Sequence, residues 1–248
     1  PGVVSVYGSD ENTLTVTPDG REIYFGKEAA IWVCRLTGAG WTAPQRTEIP
    51  GYEMWISPHT GTMYYTGYEP GIWVMKRTAR GWGSPRHLVA KGMFSTLTSD
   101  ETLYTTVFDE RGKANVGRYV KQNGAYTTAE TFGPEINSPA GFDAHPNVSP
   151  DGRLLVFDSD RPEGNGLYMT RRRADGSWGP ARYLGQALAG GSVSTFSPDG
   201  KYLFFMKHRD IYWVSAAVLD EPVRPSRRPV TATPADRGPS AVRPGDSR

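Results

Sequence analysis

The chain has 248 residues, a formal charge of +2, 38% hydrophobic residues, 29 glycines and 20 prolines. The positive charge belongs to residues 221–248, which hold six arginines and three acidic residues, so the rest of the chain carries about −1. The chain has no basic face and no motif that binds the grooves of a nucleic acid, so we expect no nucleic-acid partner. No run approaches the roughly 20 apolar residues of a membrane span, so none is predicted.

Five similar turns follow one another along the chain, and a short apolar run comes after each of them. Proline presets the first corner of such a turn, aspartate can bond its own backbone, and glycine accepts a positive φ. A unit recurring every 40 to 51 residues indicates a repeat architecture. The turns are Thr17-Pro18-Asp19-Gly20, Ser57-Pro58-His59-Thr60-Gly61, Thr98-Ser99-Asp100-Glu101, Ser149-Pro150-Asp151-Gly152 and Ser197-Pro198-Asp199-Gly200.

The rest of the unit also repeats. A third strand is predicted at 31–35, 72–76, 167–171 and 211–215, and a last short strand ends near Ile49, Leu88 and Leu184. Between them stands a turn with a tryptophan, Trp41, Trp82 or Trp178, whose recurrence indicates packing between units. Four strands in each of five units predict an all-β fold, a five-bladed β-propeller.

The two ends of the chain complement each other. The fifth unit runs out after its third strand, and Val3–Tyr7 stands where other units carry their fourth. We therefore expect the N-terminal strand to complete blade five and close the ring, which leaves no exposed edge. A linear solenoid would need polar end caps, and none is evident. The propeller should span 1–220, followed by a disordered Pro/Arg-rich tail over 221–248.

These repeats resemble the TolB-like, WD-repeat-like propeller family. The resemblance is carried by Ser197-Pro198-Asp199-Gly200-Lys201-Tyr202-Leu203-Phe204-Phe205 and by the stretch from Glu135 to Arg161. It covers about residues 3–219 and departs at blade three, where Ser99-Asp100-Glu101 replaces Pro-Asp-Gly. Such a resemblance implies the fold and slightly favours an exported protein. It implies little chemistry, because family members are similar to binding scaffolds, docking modules or appendages of enzymes.

Propellers bind ligands at the mouth of the central channel, so candidate residues are those near the start of each innermost strand and in the next hairpin loop. The catalytic candidates are Glu11, Glu53, Asp143 and His145. The ligand-binding candidates are Asn12, Tyr52, Phe94, Arg161, Lys207 and His208. The acids of Asp158-Ser159-Asp160 are interpreted as solvated loop residues, and no metal site or cofactor is predicted.

Two function classes remain open. The first is a monomeric binding scaffold that recognises a small molecule, peptide, glycan or protein at the channel mouth. The second is an enzyme, either a hydrolase that uses paired carboxylates or a lyase or cyclase that uses His145 and an acid. Substitution of Glu53 or Asp143 would abolish turnover in the enzyme, whereas in the scaffold it would change only binding.

Overall fold

The computed structural model describes Val4 and residues 10–220 of the chain. These residues form five antiparallel sheets that follow one another around a ring, so the prediction of an all-β, five-bladed propeller is confirmed. The innermost strands of successive blades contact one another, and that of blade 5 contacts that of blade 1. Within the described part of the chain, no helix is long and apolar enough to cross a membrane.

Each blade starts at the channel and runs outward through antiparallel neighbours. Blade 1 consists of β1 (Glu11–Val16), β2 (Glu22–Lys27), β3 (Ala30–Thr37), β4 (Gly40–Trp41) and β5 (Gln45–Arg46). Blade 2 consists of β6 (Gly51–Ile56), β7 (Met63–Gly67), β8 (Ile72–Met75), β9 (Arg77–Thr78), β10 (Gly81–Trp82) and β11 (Arg86–Val89). Blade 3 consists of β12 (Met93–Leu97), β13 (Leu103–Phe108), β14 (Ala114–Tyr119) and β15 (Ala129–Thr131).

Blade 4 consists of β16 (Asp143–Val148), β17 (Leu154–Ser159), β18 (Gly166–Arg171) and β19 (Arg182–Tyr183). Blade 5 consists of β20 (Ser192–Phe196), β21 (Tyr202–Lys207) and β22 (Asp210–Ser215). Single 3₁₀ turns lie at Gln186–Leu188 and Ala216–Leu219. The second strands of blades 1 to 4 are buried along most of their length, which explains why they read as short apolar runs after the turns.

In four of the five blades the repeated turn is held by one hydrogen-bond pattern; in blade 2, where His59 replaces the aspartate, the Ser57 hydroxyl accepts the His59 and Thr60 N–H groups instead. A serine or threonine hydroxyl donates to the carboxylate of the turn aspartate, as Thr17 does to Asp19 at 2.6 Å, and that carboxylate accepts the N–H two residues later. Blade 3 keeps the pattern, because Thr98 donates to Asp100 and the Thr102 N–H does too. Glu101 takes the place of glycine with a φ of 60°. The departure in sequence therefore leaves the turn intact, at the cost of a left-handed non-glycine residue.

Replacing Glu101 by glycine is expected to stabilise the protein by about 1 kcal/mol, because a side chain in the left-handed region costs about that much or more. The replacement also removes the exposed ion pair of Glu101 with Lys121, which contributes about 0–1 kcal/mol. Urea unfolding measures the difference. Glu101→Gln, which removes the charge and keeps the strain, is the control and should be neutral or slightly destabilising. A glycine variant no more stable than the glutamine variant would show that the turn is unstrained.

The recurring tryptophans join neighbouring blades at two places. Trp82 of blade 2 donates its Nε1–H to the Tyr24 hydroxyl of blade 1 at 3.0 Å, and Trp178 of blade 4 does the same to Tyr104 of blade 3 at 3.2 Å. Both pairs pack edge to face. Trp41 does not pack into a junction in this way, since the residue is 40% exposed. Phe204 stands in blade 5 where blades 1 to 3 have tyrosine and blade 4 has Val156, so it offers no hydroxyl to accept the indole N–H.

The ring closes between blades 5 and 1 within the described residues. The Thr195 hydroxyl of β20 donates to the Leu14 carbonyl of β1, and the Glu11 N–H donates to the Arg209 carbonyl at 3.2 Å. Of the predicted closing strand Val3–Tyr7, only Val4 is described, and it packs on a cluster that includes Leu14 and residues of blade 5. The rest of that prediction, and the predicted disordered tail over 221–248, lie outside the described residues.

Candidate functional site at the channel mouth

The innermost strands carry a β-bulge close to their first residue. In four successive blades the bulged residue is not glycine yet has a left-handed φ: 47° at Glu53, 48° at Phe94, 52° at His145 and 46° at Val193. For a β-branched residue such as Val193 this backbone conformation is a genuine outlier. A bulge redirects the side chain that it carries. The same strain at four equivalent positions therefore turns four side chains from their strands at one end of the channel.

The bulges are held by polar side chains of the preceding blade. Because the bulged residue has left its ladder, its backbone N–H needs another acceptor. In three blades that acceptor stands at the same place in the second strand of the blade before. The pairs are Phe94 N–H to Thr66 Oγ1 at 2.9 Å, His145 N–H to Thr106 Oγ1 at 2.9 Å, and Val193 N–H to Asp158 Oδ1 at 3.0 Å.

His145 lies between two carboxylates that come from different blades. Its Nδ1–H donates to both oxygens of Asp158, at 2.9 and 3.1 Å, and its Nε2 lies 3.7 Å from Glu53 Oε1. Thr66 donates to Glu53 Oε2 at 3.3 Å, and the Phe94 ring packs edge-on against the imidazole with centroids 5.9 Å apart. These five residues are called the His145 cluster. The side chains of His145 and Glu53 each remain 13% exposed, so solvent reaches the cluster.

The charges of the cluster keep His145 protonated. Burial by itself lowers the pKa of a histidine, but the Asp158 charge and its hydrogen bonds, with a smaller contribution from Glu53, raise the pKa of His145 to about 10. At neutral pH the cluster therefore holds one imidazolium and two carboxylates, with a net charge of −1. It can accept hydrogen bonds and attract cations, and a proton on His145 leaves with difficulty.

Asp143 has a different environment, although it begins the same innermost strand as His145. Its carboxylate is fully buried and accepts Arg161 Nε at 3.0 Å, Arg161 Nη2 at 2.7 Å and the Ser138 N–H at 2.6 Å. The Arg161 guanidinium also donates to the Ile136 carbonyl and stacks on Tyr168, 4.6 Å from the ring centroid. Both carboxylate oxygens of Asp143, and the Nε and Nη2 atoms of Arg161, are used in these hydrogen bonds. The arrangement is that of a structural ion pair.

Glu11 is likewise buried, and Lys27 Nζ lies 3.6 Å from its Oε1. Asn12 beside it accepts the Thr13 N–H at 2.6 Å and fills the space next to Gly26, where a Cβ atom would come within 1.8 Å of Asn12 Oδ1. The three candidate carboxylates therefore each have a cation of their own: Lys27 for Glu11, His145 for Glu53 and Arg161 for Asp143. The two acids that meet at one group are Glu53 and Asp158.

The remaining candidates lie on the rim. Tyr52 stacks on Tyr68 with centroids 6.4 Å apart, and the Tyr68 hydroxyl donates to the Ala29 carbonyl of blade 1 at 2.8 Å. Lys207 ends β21, and His208 follows it in the tight hairpin turn of blade 5 with a φ of 54°. Among the described residues, neither of these two forms a hydrogen bond or ion pair with the His145 cluster.

Asp158 is the member of the site that the sequence analysis missed, and its interpretation as a solvated loop acid is wrong. It is 5% exposed and contacts both His145 and the Val193 N–H. A usable signal exists in the repeat, since Asp158 occupies the place of Thr66 and Thr106. A polar residue at the same point of three apolar strands indicates that it has the same structural role in each blade. Within the described ranges, no group of three or more His, Cys, Asp or Glu side chains is arranged to hold a metal ion.

No family model and no curated protein matches the chain. Among solved structures, it resembles a protein assigned as TolB from Agrobacterium tumefaciens, with 20% identity over 79% of this chain and 69% of that one, and a TM-score of 0.55. TolB from Acinetobacter baumannii has 18% identity over 84% of this chain and 52% of its own, with a TM-score of 0.57. XC5397 from Xanthomonas campestris, described as a gluconolactonase, has 12% identity over 85% and 87%, with a TM-score of 0.55.

Likeness at these identities shows the propeller fold alone. The chain spans about half of the Acinetobacter protein, which is a longer molecule. Fold likeness at this distance is common to propellers of unrelated function.

Proposed function

We propose that this protein is a propeller binding module that recognises a polar ligand at the channel mouth, through Glu53 and His145, with the buried Phe94 ring packed against the imidazole. The observation that supports it is the repeated left-handed bulge, because strained backbone in equivalent places of successive blades persists only where the surrounding structure enforces it. Strain of this kind clusters at binding and active sites. Three of the four strained residues contribute to one partly exposed cluster.

The chemistry of the mouth favours a ligand that donates hydrogen bonds. Two carboxylates and one imidazolium leave a net negative charge, whereas Phe94 is fully buried against the imidazole and is not open to a ligand. On the rim, the stacked rings of Tyr52 and Tyr68 offer a flat aromatic surface, and Tyr68 is 57% exposed. Sugar hydroxyls or the amine of a peptide side chain meet both requirements, since each pairs with carboxylates beside an apolar face.

A ligand screen by NMR tests the proposal. Maltose, cellobiose and the tripeptide Gly-Lys-Gly are titrated into ¹⁵N-labelled protein. We expect at least one to shift the amide signals of Glu53, Phe94, His145 and Val193, and Glu53→Gln to weaken that binding about tenfold, the effect of removing one charge-assisted hydrogen bond. Arg21→Gln, in the exposed turn of blade 1 at the other end of the channel, is the control and should bind as the parent does. Binding whose shifts map to other faces, or that survives Glu53→Gln unchanged, would contradict a channel-mouth site.

A hydrolase is the second candidate, favoured by the histidine held between two carboxylates and by the gluconolactonase among the solved structures of similar fold. We rank the hydrolase lower because of the protonation of His145. General acid–base catalysis is most effective with a pKa near the working pH, and His145 has a pKa of about 10. Hydrolysis of D-glucono-1,5-lactone that is lost in both Glu53→Gln and His145→Gln would reverse this ranking.

A further inference from the structure

The junctions between blades are of different kinds, and a tryptophan–tyrosine pair fills two of the five. Between blades 1 and 2 and between blades 3 and 4, a tryptophan from the later blade plugs the junction and donates to a tyrosine of the earlier one. Between blades 2 and 3 the tyrosine is Tyr64, and the antiparallel register of the outer hairpin puts Tyr126 where the tryptophan would stand. The smaller ring turns elsewhere, because the Tyr126 hydroxyl donates to the Glu101 carbonyl at 2.8 Å.

At this junction a cleft of about 810 Å³ lies on the face of the propeller opposite the channel mouth. The corresponding cleft between blades 1 and 2, where Trp82 is present, has about 570 Å³. Tyr64, Val74, Leu88, Leu97 and Tyr126 form an apolar and aromatic floor. The Tyr64 hydroxyl makes no hydrogen bond with any described residue, although the ring is 8% exposed. A cavity of this size with one unused polar group on an apolar floor has the make-up of a small-molecule site.

The rim of the cleft is positively charged. Four cationic side chains and one carboxylate line it: Lys76, Arg77, Arg86, Lys121 and Glu101. Lys121 is paired with Glu101 at 2.6 Å, and Arg77 is paired with Glu22 of blade 1. Lys76 and Arg86 form no ion pair with any described residue. Two uncommitted cations therefore face the same cleft, although the body of the protein has a net charge near zero.

We infer that this cleft binds a small organic anion, a carboxylate or phosphate attached to an apolar or aromatic body. Arg86 and Lys76 hold the anionic group, the Tyr64 hydroxyl donates a further hydrogen bond, and the body of the ligand lies on the floor between Leu88, Leu97 and the two tyrosines. A guanidinium presents paired donors that match both carboxylate and phosphate oxygens. The site is separate from the channel mouth and does not depend on the function proposed for it.

Calorimetric titration with benzoate, benzamide and inorganic phosphate tests the inference on the full chain. Benzoate should bind with a Kd of about 1 mM or tighter, and benzamide, its neutral isostere, at least tenfold more weakly. Arg86→Ala should weaken benzoate about tenfold. Arg21→Ala removes an exposed arginine elsewhere and should change nothing. Equal binding of benzoate and benzamide, equal affinity in Arg86→Ala, or no binding of benzoate would overturn the inference.

A second variant tests the cleft without changing its charge. Tyr126→Trp restores the residue found at the two plugged junctions, so it should fill the cleft and abolish benzoate binding while every cation stays in place. Unchanged benzoate binding in this variant would place the ligand elsewhere and overturn the inference. Binding of an oligoglutamate peptide in preference to benzoate and phosphate would also overturn it, because the cleft would then serve an acidic polypeptide.

Discussion

Replacement of Arg161 by methionine is expected to lower the free energy of unfolding by about 3–5 kcal/mol, because it leaves the Asp143 carboxylate buried without a cation. Methionine also removes the guanidinium that lies over the Phe157 and Tyr168 rings, 5.3 and 4.6 Å from their centroids, so part of the loss is this cation–π contact. For a chain of this length the loss corresponds to a fall in Tm of about 10 °C. Thermal and urea unfolding measure it.

Two further variants make the result specific. Asp143→Asn combined with Arg161→Met should recover part of the loss, since no buried charge is then left unpaired. Arg118→Met removes one partner of the exposed pair with Glu130 and should cost no more than about 1 kcal/mol. A loss in Arg161→Met as small as that in Arg118→Met would mean that Asp143 is solvated and available for other chemistry.

The second large effect is a loss of stability with rising pH. A histidine in the unfolded chain has a pKa of about 6.5, and His145 in the folded protein has one of about 10. Its protonated form therefore stabilises the fold fully below about pH 6.5, and this contribution is lost as the pH rises toward 10. The free energy of unfolding should fall across that window by up to about 1.4 kcal/mol per pH unit.

Unfolding in urea at pH 6.5, 8.0 and 9.5 measures this slope. His145→Gln cannot titrate, so its stability, although lower at pH 6.5, should change little over the same range. His59→Gln removes a histidine from the exposed turn of blade 2 and should keep the slope of the parent protein. Parallel curves for the parent and His145→Gln would show that the Asp158–His145–Glu53 pairing contributes nothing.

The fold could be predicted because its signals are local and repeated. A hydroxyl, a turn aspartate and a residue that accepts positive φ need only neighbours in sequence, so even the Thr98–Glu101 variant of the turn was recognisable. The packing of Trp82 and Trp178 followed from their recurrence. Trp41 did not follow, because its packing depends on which residue the adjacent blade offers, and Phe204 lacks the hydroxyl.

The site could be predicted only in part, because it depends on contacts across blades. Alignment of the five repeat units on their turns correctly placed Glu53, Phe94 and His145 at one end of the channel. It could not separate Asp143 from them, since the buried partnership with Arg161 is set by the direction of two side chains. Asp158 was missed for the opposite reason. An acid before a hairpin resembles a solvated residue until the bulge of its own blade supplies the His145 imidazole and the bulge of the next blade supplies the Val193 N–H.

The protonation state of His145 tests the account of the channel mouth most directly. Imidazole ¹⁵N signals, assigned with His145→Gln and followed from pH 5 to pH 10, report it without any ligand. We expect His145 to stay doubly protonated beyond pH 8.5 and to lose that protection in Asp158→Asn, where its pKa should fall by more than one unit. A His145 signal that titrates near pH 6.5 in the parent protein, unaffected by Asp158→Asn, would contradict the charged cluster from which the proposed site is built.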